Sequence, residues 1–340
     1  MALEQIPIPL LEWYRDNARS LPWREDPTPY HVWLSEIMLQ QTRVAAVLGY
    51  YSRFLEECPD VDSLARLPEE RLMKLWQGLG YYNRARNLQA AARQIVEEHG
   101  GRFPSDYDSI RALKGVGDYT AGAIASIAFG QPVPAVDGNV LRVVARLTGD
   151  GDDISTPAMK AKVTGLLRPI IPLGAPGAFT QAMMELGATV CLPNGAPLCH
   201  RCPVADRCAA FREGRVDELP VKAKKKARRV EERTVWLLFW EDRVALRQRP
   251  AKGLLAGLWE YPDSLPEGMN LTEERFGCTA KHIFTHVEWH MTARLAEAAE
   301  DSLPEGWVWA DRRALRERYA LPSAFDGMAH LVEERLNRER

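Results

Sequence analysis

Two carboxylic acids in this chain have the type and surroundings needed for acid–base chemistry. Glu36 lies in the apolar segment 33–39, where burial would raise the pKa of its carboxyl group and keep it protonated near neutral pH. Asp137 follows the proline-containing segment 132–136 and precedes a Gly-Asn turn, where a carboxylate can lie exposed and ionised. A protonated acid and an anion together cleave a glycosidic bond through an oxocarbenium-like transition state. Taken singly, Glu36 could equally be an ordinary helix residue and Asp137 a helix cap.

A glycine hairpin precedes the second of these acids. Gly115 and Gly117 flank Val116 between two helix-like segments, and glycine permits a sharp turn and a close backbone approach to a partner. Asp118 can cap the helix that follows, whose free N–H groups suit an anion such as phosphate. The pattern predicts a contact with the DNA backbone, although an ordinary helix corner shares it. Residues 78–82 repeat the Gly-x-Gly-x-Tyr pattern and predict a second approach to the same duplex.

Four cysteines form a cluster with the spacing of a metal site. They are Cys191, Cys199, Cys202 and Cys208, whereas Cys58 and Cys278 stand apart. Thiols this close together in a chain of cytosolic character hold a metal more often than they form disulfides. Zinc and a [4Fe–4S] cluster both take four sulfur ligands, and the spacing alone does not distinguish between them.

The composition is that of a globular protein with two domains. Of the 340 residues, 46% are hydrophobic, and no apolar run approaches the roughly 20 residues of a membrane span. The N-terminal residues lack the basic region of a signal peptide, so we expect a cytoplasmic protein without membrane contacts. Because the formal net charge is only −2, any DNA-binding surface must be local.

Three segments differ in their patterns. Residues 1–214 carry the apolar spacing and proline-marked starts of helices, such as Thr28-Pro29, and are predicted to form a helical domain. Residues 215–233 are basic and have no apolar face, which indicates a linker that would also favour a polyanion. Residues 234–340 begin with two β-rich runs, which predict a hairpin turning at 241–242 and a domain of mixed α and β structure.

Five segments of the helical domain resemble signatures of the helix-hairpin-helix DNA glycosylase superfamily, in the branch that acts on adenine. They are Leu-Pro-Trp-Arg at 21–24, the run 29–42 with Trp-Leu-Ser-Glu-Ile-Met-Leu-Gln-Gln-Thr, Gly-Leu-Gly-Tyr-Tyr at 78–82, Val-Asp-Gly-Asn-Val at 136–140 and Gln-Ala-Met-Met-Glu-Leu-Gly-Ala at 181–188. The segment 248–262 is similar to Nudix-type domains, but the glutamate-rich helix that hydrolyses nucleotides is not evident after it. The resemblance implies a multidomain fold. An all-α helix-hairpin-helix glycosylase domain, with an iron–sulfur cluster loop at 191–208, is followed by an α+β Nudix-like C-terminal domain.

The resemblance also implies an activity. The expected enzyme is a monomeric base-excision repair glycosylase, a hydrolase of N-glycosyl bonds. It removes adenine opposite 8-oxoguanine or guanine in double-stranded DNA, in the bacterial cytoplasm and associated with the nucleoid. Catalysis is assigned to Glu36, which protonates the base, and to Asp137, which stabilises the sugar cation or a transient adduct. Tyr119, Asn139 and Glu185 match positions that support the same site.

Further residues are assigned to DNA, to the lesion and to a cofactor. Gln41 and Tyr81 match residues that are inserted into the duplex, where a flipped base leaves a gap. The others are Arg24, Gly115, Val116 and Gly117 for DNA; Phe284, Thr285 and His286 for 8-oxoguanine; and Cys191, Cys199, Cys202 and Cys208 for one [4Fe–4S] cluster. Two details depart from the family, because threonine replaces the usual serine at position 285 and the first cysteine spacing is one residue longer. A buried β-strand is the structural alternative for residues 284–286.

Tyr119 separates the adenine-specific branch from its bifunctional relatives. Relatives of the endonuclease III type carry a lysine at this place, whose amine forms a Schiff base with the sugar and permits strand cleavage. A phenol cannot form that imine, so we expect an essentially monofunctional enzyme; Lys114 lies nearby and is the candidate amine should weak lyase activity be found. The alternatives are a bifunctional endonuclease III-like glycosylase and AP lyase, which would need the lysine, and a non-catalytic DNA-binding protein, which would not need Glu36 or Asp137.

Overall fold

The computed structural model describes residues 2–193, 195–223 and 227–337. The chain divides into two compact units, and each is built from two stretches of the sequence. The first unit contains residues 1–66 and 87–224, and the second unit contains residues 67–86 and 225–340. Part of the predicted helical domain therefore groups with the C-terminal strands. Lys224, Lys225 and Lys226 of the predicted linker lie outside the described residues.

Helices follow one another through the first two thirds of the chain. They are α1 (Pro7–Asn17), α2 (Pro22–Glu25), α3 (Pro29–Leu39), α4 (Val44–Glu57), α5 (Val61–Arg66), α6 (Glu69–Trp76), α7 (Asn83–His99), α8 (Tyr107–Ala112), α9 (Asp118–Ile127), α10 (Gly138–Thr148), α11 (Pro157–Leu167), α12 (Pro176–Thr189) and α13 (Ala209–Arg212). Helix α6 belongs to the second unit, and α7 begins there. Within the described part of the chain, no helix is long and apolar enough to cross a bilayer.

Helix α3 begins where the sequence predicted a cap followed by proline. Thr28 Oγ1 accepts a hydrogen bond from the His31 amide at 3.2 Å, and Pro29 occupies the first turn, where the missing N–H costs no hydrogen bond. Most side chains of α3 are buried, including that of Glu36. A helix that is buried on nearly all sides lies inside a core, which explains how a carboxyl group on it is removed from water.

Small residues let α9 pack against the segment that leads to Asp137. Residues 120–126 of α9 are all buried, and a Cβ atom at Gly122 would collide with the Pro134 carbonyl oxygen. Asp137 then caps α10, because its Oδ1 accepts a hydrogen bond from the Val140 amide at 2.7 Å. Helix α10 packs against α12 in the apolar core of the first unit. The packing therefore fixes the position of a candidate catalytic carboxylate.

The second unit contains a mixed β-sheet. Its strands are β1 (Arg229–Trp240), β2 (Arg243–Gln248), β3 (Trp259–Glu260), β4 (Leu271–Ile283), β5 (Val287–Ala298) and β6 (Trp307–Ala310). The order is β3-β2-β1-β5-β4, and β6 also pairs with β2. Strands β1 and β5 run parallel, whereas the other pairs are antiparallel. Helices α14 (Arg312–Glu317) and α15 (Ala329–Leu336) follow, and apolar clusters that share alternate residues of β1 cover both faces of the sheet.

The structure contains the predicted hairpin but differs from the prediction at the linker. Strands β1 and β2 turn at 241–242, as the sequence indicated. The predicted linker 215–233, however, contains the first residues of β1, which pairs with β5 from Arg229 onwards. This part of the sequence gave no apolar signal because its residues are charged; in the structure they form ion pairs, such as Arg233 with Asp263 at 3.0 Å. The start of the linker packs on the first unit, where Leu219 is 2% exposed.

Candidate active site

The residues that the sequence assigned to catalysis meet in one cavity of the first unit. Its volume is about 550 Å³. The predicted site residues that line it are Arg24, Glu36, Gln41, Tyr119, Asp137, Asn139 and Glu185. They come from α2, α3, the turn after α3, α9, the start of α10 and α12, so the fold gathers positions that are far apart in the sequence. Such convergence is expected of groups that act on one substrate.

Glu36 is a buried carboxylic acid in the wall of this cavity. It is 8% exposed, and desolvation by burial raises the pKa of its carboxyl group to about 7. The Tyr119 hydroxyl donates a hydrogen bond to Glu36 Oε2 at 2.5 Å, which opposes that rise, whereas the charge of Asp137 adds to it. An acid with a pKa near neutrality can both hold a proton and release it, so Glu36 is suited to general acid catalysis.

Asp137 is a partly buried carboxylate rather than the exposed one that the sequence suggested. Desolvation by burial raises the pKa of its carboxyl group, and hydrogen bonds from the Val140 amide and Asn139 Nδ2 act in the opposite direction. These bonds measure 2.7 and 2.8 Å and hold one carboxylate oxygen each. The N-terminus of α10 also favours a negative charge. Asp137 is therefore both a helix cap and a component of the site.

Arg142 holds Asn139 in position, and the sequence analysis did not single it out. Its Nη2 donates to Asn139 Oδ1 and to the Gly187 carbonyl, and its Nε donates to the Cys191 carbonyl, each at 2.8 Å. The Asn139 amide nitrogen is thereby directed to Asp137. A Cβ atom at Gly187 would lie 2.6 Å from Asn139 Cβ, so this place in α12 requires glycine.

A second buried carboxylate is paired with two arginines. Glu185 is 0% exposed, and it accepts from Arg19 Nε at 2.6 Å and from Arg24 Nη2 at 2.7 Å. Burial alone would raise the pKa of Glu185, but the hydrogen bonds from both guanidinium groups outweigh burial and lower it. Arg19 was missed by the sequence analysis because it lies in the short connection between α1 and α2, outside any motif. Both arginines line the cavity, where the ion pairs fix their orientation.

The glycine hairpin connects α8 to α9, as the sequence predicted. Gly115 has a φ of +75°, and a Cβ atom there would lie 2.6 Å from Asn87 Cβ. Gly117 is the N-cap of α9, so Asp118 is the first helical residue and not the predicted cap. The Val116 side chain is buried and its amide is used within the turn, so Val116 shapes the hairpin.

Gln41 and Tyr81, the residues assigned to insertion into DNA, each have a strained backbone conformation. Their φ angles are +57° and +48°, in the left-handed region that residues other than glycine seldom adopt. Strain of this kind tends to persist where a side chain must hold an unusual position for function. Gln41 lines the cavity of the first unit, whereas Tyr81 belongs to the second unit and is 48% exposed.

Phe284, Thr285 and His286 form the tip of the β4–β5 hairpin. A backbone hydrogen bond from Phe284 closes the turn, in which Thr285 and His286 are exposed. Phe284 packs edge-on against Trp289, with the ring centroids 4.8 Å apart. The tripeptide is thus an anchored tip and not a buried strand. The Tyr81 hydroxyl lies 2.9 Å from Thr285 Oγ1, so the structure brings these two predicted residues together within the second unit.

The clustered cysteines line a second, apolar cavity of the first unit. They are Cys191, Cys199, Cys202 and Cys208, and none forms a disulfide. Arg146 lines the same cavity, and its Nη1 donates to Cys191 Sγ at 3.2 Å. In the described part of the chain, no set of three or more His, Cys, Asp or Glu side chains is placed to hold a metal ion. Asn194, within the longer first spacing, lies outside the described residues.

Two family models match the chain. The HhH-GPD superfamily of base excision DNA repair proteins matches residues 34–169, and the NUDIX domain matches residues 234–330. The first match includes both candidate catalytic carboxylates and the glycine hairpin, and the second includes the exposed tip at 284–286. These matches confirm the predicted combination of a helix-hairpin-helix glycosylase domain and a Nudix-like domain.

Individual proteins are similar over larger parts of the chain. The chain is 39% identical to the adenine DNA glycosylase of Homo sapiens over 307 residues, which cover 74% of this chain and 56% of that protein. It is 34% identical to the adenine DNA glycosylase of Buchnera aphidicola subsp. Schizaphis graminum over 257 residues, which cover 75% of this chain and 73% of that protein. A solved structure of a non-covalent endonuclease III–DNA complex matches 63% of this chain and 98% of that chain, with a TM-score of 0.53 and 27% identity. The chain thus spans little more than half the length of the human relative.

Proposed function

Because the chain belongs to the adenine DNA glycosylase family, we propose that it hydrolyses the N-glycosidic bond of adenine mispaired with 8-oxoguanine or guanine in double-stranded DNA. The observation that carries this proposal is the pairing of Glu36, a buried acid whose pKa is raised to about 7, with the fixed carboxylate of Asp137 in one cavity. Adenine inside a stacked duplex is out of reach, so the base must be flipped into this cavity before it reacts.

Glu36 supplies the proton that adenine needs in order to leave. Since the Tyr119 hydroxyl donates to Oε2, the proton of the neutral acid resides on Oε1, which is then the atom that delivers it to the base. Tyr119 lies partly buried beside Glu36, and desolvation raises the pKa of its phenol well above the usual value, so it stays a donor throughout the reaction. The pair therefore fixes which oxygen of Glu36 acts.

Asp137 supplies the negative charge that the sugar cation needs. Its two oxygens are held by the Val140 amide and by Asn139 Nδ2, so little reorganisation is required when the positive charge develops. Arg142 in turn holds Asn139. In this arrangement the Asp137 carboxylate can attack the sugar cation, or it can stabilise the cation until water adds.

Arg19 and Arg24 are suited to recognise the flipped base. Both line the cavity, and Glu185 holds both guanidinium groups. Guanidinium groups only donate hydrogen bonds, whereas the ring nitrogens of adenine accept them. The fixed arginines therefore complement adenine and assist its departure by binding it.

We include in the proposal a [4Fe–4S] cluster, whose four thiolate ligands bind different iron atoms and so need not surround a single ion. The donor set is four thiols around an apolar cavity, and the Arg146 guanidinium would place positive charge beside an anionic cluster. Cys191, Cys199, Cys202 and Cys208 would hold it, and when bound it would supply a cross-link of the loop 191–208. Protein made with ample iron should contain about four irons and four sulfides per chain and absorb broadly in the visible. One zinc per chain in their place would contradict this assignment.

A gel assay tests the proposed activity. The substrate is a duplex with a single adenine opposite 8-oxoguanine, compared with adenine opposite guanine and opposite thymine. Because Tyr119 replaces the lysine that lyases use, the adenine strand should break only after hot alkali cleaves the abasic site. Equal cleavage without alkali would indicate the bifunctional alternative, and no cleavage under either condition would contradict glycosylase activity.

A further inference from the structure

The catalytic cavity of the first unit contains a methionine that the proposed mechanism does not use. Met184 lines the cavity from α12, and among the described residues that line it, Met184 alone carries sulfur. Its side chain is partly buried and packs against the apolar core, whereas the adjacent Met183 is 2% exposed and belongs to that core. The helix therefore directs one methionine inward and presents the next one to the cavity.

The sulfur atom of Met184 lies beside the hydroxyl group that orients Glu36. Met184 Sδ is 3.8 Å from the Tyr119 hydroxyl oxygen, which also lies 2.5 Å from Glu36 Oε2. A phenol has one hydrogen to donate, so the sulfur and the carboxyl oxygen compete for it. A thioether sulfur is a weak acceptor, so the hydrogen stays with the carboxyl oxygen. Unoxidised Met184 thus leaves the hydrogen bond between Tyr119 and Glu36 intact.

Oxidation of the sulfur would reverse this competition. Conversion of methionine to methionine sulfoxide turns a flexible apolar side chain into a polar one. The new oxygen carries partial negative charge and accepts hydrogen bonds far better than a thioether does. The Tyr119 hydroxyl is the donor that the structure places beside Sδ. The sulfoxide would therefore draw the Tyr119 hydrogen away from Glu36.

We propose that Met184 is a modification site at which a hydroperoxide lowers the excision activity; this inference rests on the proposed function. In the reaction, the O–O bond of the hydroperoxide breaks and its terminal oxygen bonds to Sδ. The proton of that oxygen passes to the other oxygen, which leaves as an alcohol, or as water when hydrogen peroxide is the oxidant. Sulfur loses two electrons and the hydroperoxide gains them. Methionine sulfoxide reductases reverse the change, with a thiol as the reductant.

The sulfoxide should affect Glu36 in two ways. Without the bond from Tyr119, the proton of Glu36 is no longer confined to the oxygen that faces the base, so its delivery becomes slower. The same bond opposes the rise that burial causes in the pKa of Glu36, so its loss raises that pKa further. Asp137, which raises the pKa of Glu36, and Arg24, which lowers it, act in both forms. The oxidised enzyme should therefore be slower, and its activity should decline at a higher pH.

Treatment of the full chain with tert-butyl hydroperoxide tests this inference. Peptide mass spectrometry measures the sulfoxide at each methionine, and single-turnover excision is measured on a duplex with adenine opposite 8-oxoguanine. The visible absorption of the protein reports any loss of the proposed cluster. Because hydrogen bonds to charged groups are among the stronger ones, oxidation of Met184 should lower the rate by roughly 10-fold. Methionine sulfoxide reductases for both sulfoxide epimers should restore the rate, since they act on methionine and not on cysteine.

Two leucine variants serve as matched controls. Met184→Leu keeps an apolar side chain of similar size without the sulfur, so peroxide should leave its rate close to the rate of the same variant before treatment. Met183→Leu removes the neighbouring core methionine and should lose activity on treatment as the parent does. The pH profile distinguishes the loss of the Tyr119 bond from simple obstruction of the cavity. Obstruction lowers the rate at every pH, whereas loss of the bond also moves the decline to higher pH.

Several results would overturn the inference. They are an unoxidised Met184 when the partly exposed Met269 of the second unit has been converted, a parental rate in protein oxidised at Met184, and an equal loss in Met184→Leu. A slowed parent that the reductases do not restore, or whose pH profile is unchanged, also contradicts it. An untreated parent that does not excise adenine overturns the proposed function itself, and this inference with it.

Discussion

The two units place their functional polar side chains in opposite environments. In the first unit, Glu36 and Glu185 are buried, and neighbouring side chains fix each of them inside a cavity. In the second unit, Tyr81, Thr285 and His286 are exposed on loop tips, and the support lies beneath them. Proton transfer requires shifted pKa values, which need removal from water. Recognition of a nucleobase within a duplex requires side chains that reach outward from a rigid support.

This difference predicts a division of effects. Substitutions in the cavity should change the rate of excision with little change in the choice of opposing base, whereas substitutions at the loop tips should change that choice with little change in chemistry.

The carboxylates of the cavity should give the largest effects. Glu36→Gln removes the transferable proton and Asp137→Asn removes the anion, so each should lower single-turnover excision by about 100-fold or more while duplex binding persists. Glu97→Gln and Asp108→Asn make the same chemical changes on the exposed surface and should excise at the parental rate. Normal excision by either cavity variant would show that the substituted carboxyl group takes no part in the mechanism.

Tyr119→Lys should introduce a new chemistry at the same place. An amine beside the sugar can form a Schiff base, so borohydride should trap a covalent complex of this variant with DNA far more than with the parent. Excision itself should fall, because a lysine charge in place of the phenol beside Glu36 favours the ionised carboxylate, which has no proton to deliver. Equal trapping by the parent would assign the lyase to another lysine, such as Lys114.

Substitutions at the exposed tip of the β4–β5 hairpin should change the preference between the two mispairs. Thr285→Ala combined with His286→Ala should lower the preference for adenine opposite 8-oxoguanine over adenine opposite guanine, by roughly 1–3 kcal/mol for each lost base contact. The full chain is needed, since removal of the C-terminal strands would also release Lys74 and Tyr81 from their partners. The measurement is the ratio of single-turnover rates on the two mispairs. An unchanged ratio would place lesion recognition in the first unit.

Gly187→Ala should give the smallest of these effects and shows how finely the cavity is packed. The added methyl group would lie 2.6 Å from Asn139 Cβ, so Asn139 and its bond to Asp137 must shift. Overpacking of this kind costs about 1–3 kcal/mol of unfolding free energy and should also slow excision. Gly165→Ala, at a helical glycine where the new atom meets nothing within 4 Å, is the matched control for denaturant unfolding and activity.

Motifs and local patterns in the sequence predicted most of the residues that line the catalytic cavity. The Thr28 cap, the glycine hairpin and the 241–242 turn are local features, and the structure has each of them. Glu36 and Asp137 were identified because acids in apolar or capping positions are chemically unusual. Their meeting in one cavity with Tyr119 followed from the resemblance and not from the spacing of the residues.

The long-range polar partners could not be predicted. Arg19 bonds to Glu185 across 166 positions, and Tyr81 meets Thr285 across 204 positions. No periodicity or capping rule connects residues so far apart, because the fold alone brings them together. The burial of Asp137 was missed because the Gly-Asn turn that follows it suggested exposure, whereas helices distant in the sequence contribute to the cavity wall around it.

The pH dependence of single-turnover excision tests the role of Glu36 most directly. Because the pKa of Glu36 is raised to about 7 and only its protonated form can deliver a proton, excision from an adenine–8-oxoguanine duplex should fall as the pH rises above about 7. Glu36→Gln, which has no proton to lose there, should show a low rate without that decline. A parental rate that stays constant from about pH 6 to about pH 9, or the same decline in Glu36→Gln, would contradict the assignment of Glu36 as the general acid.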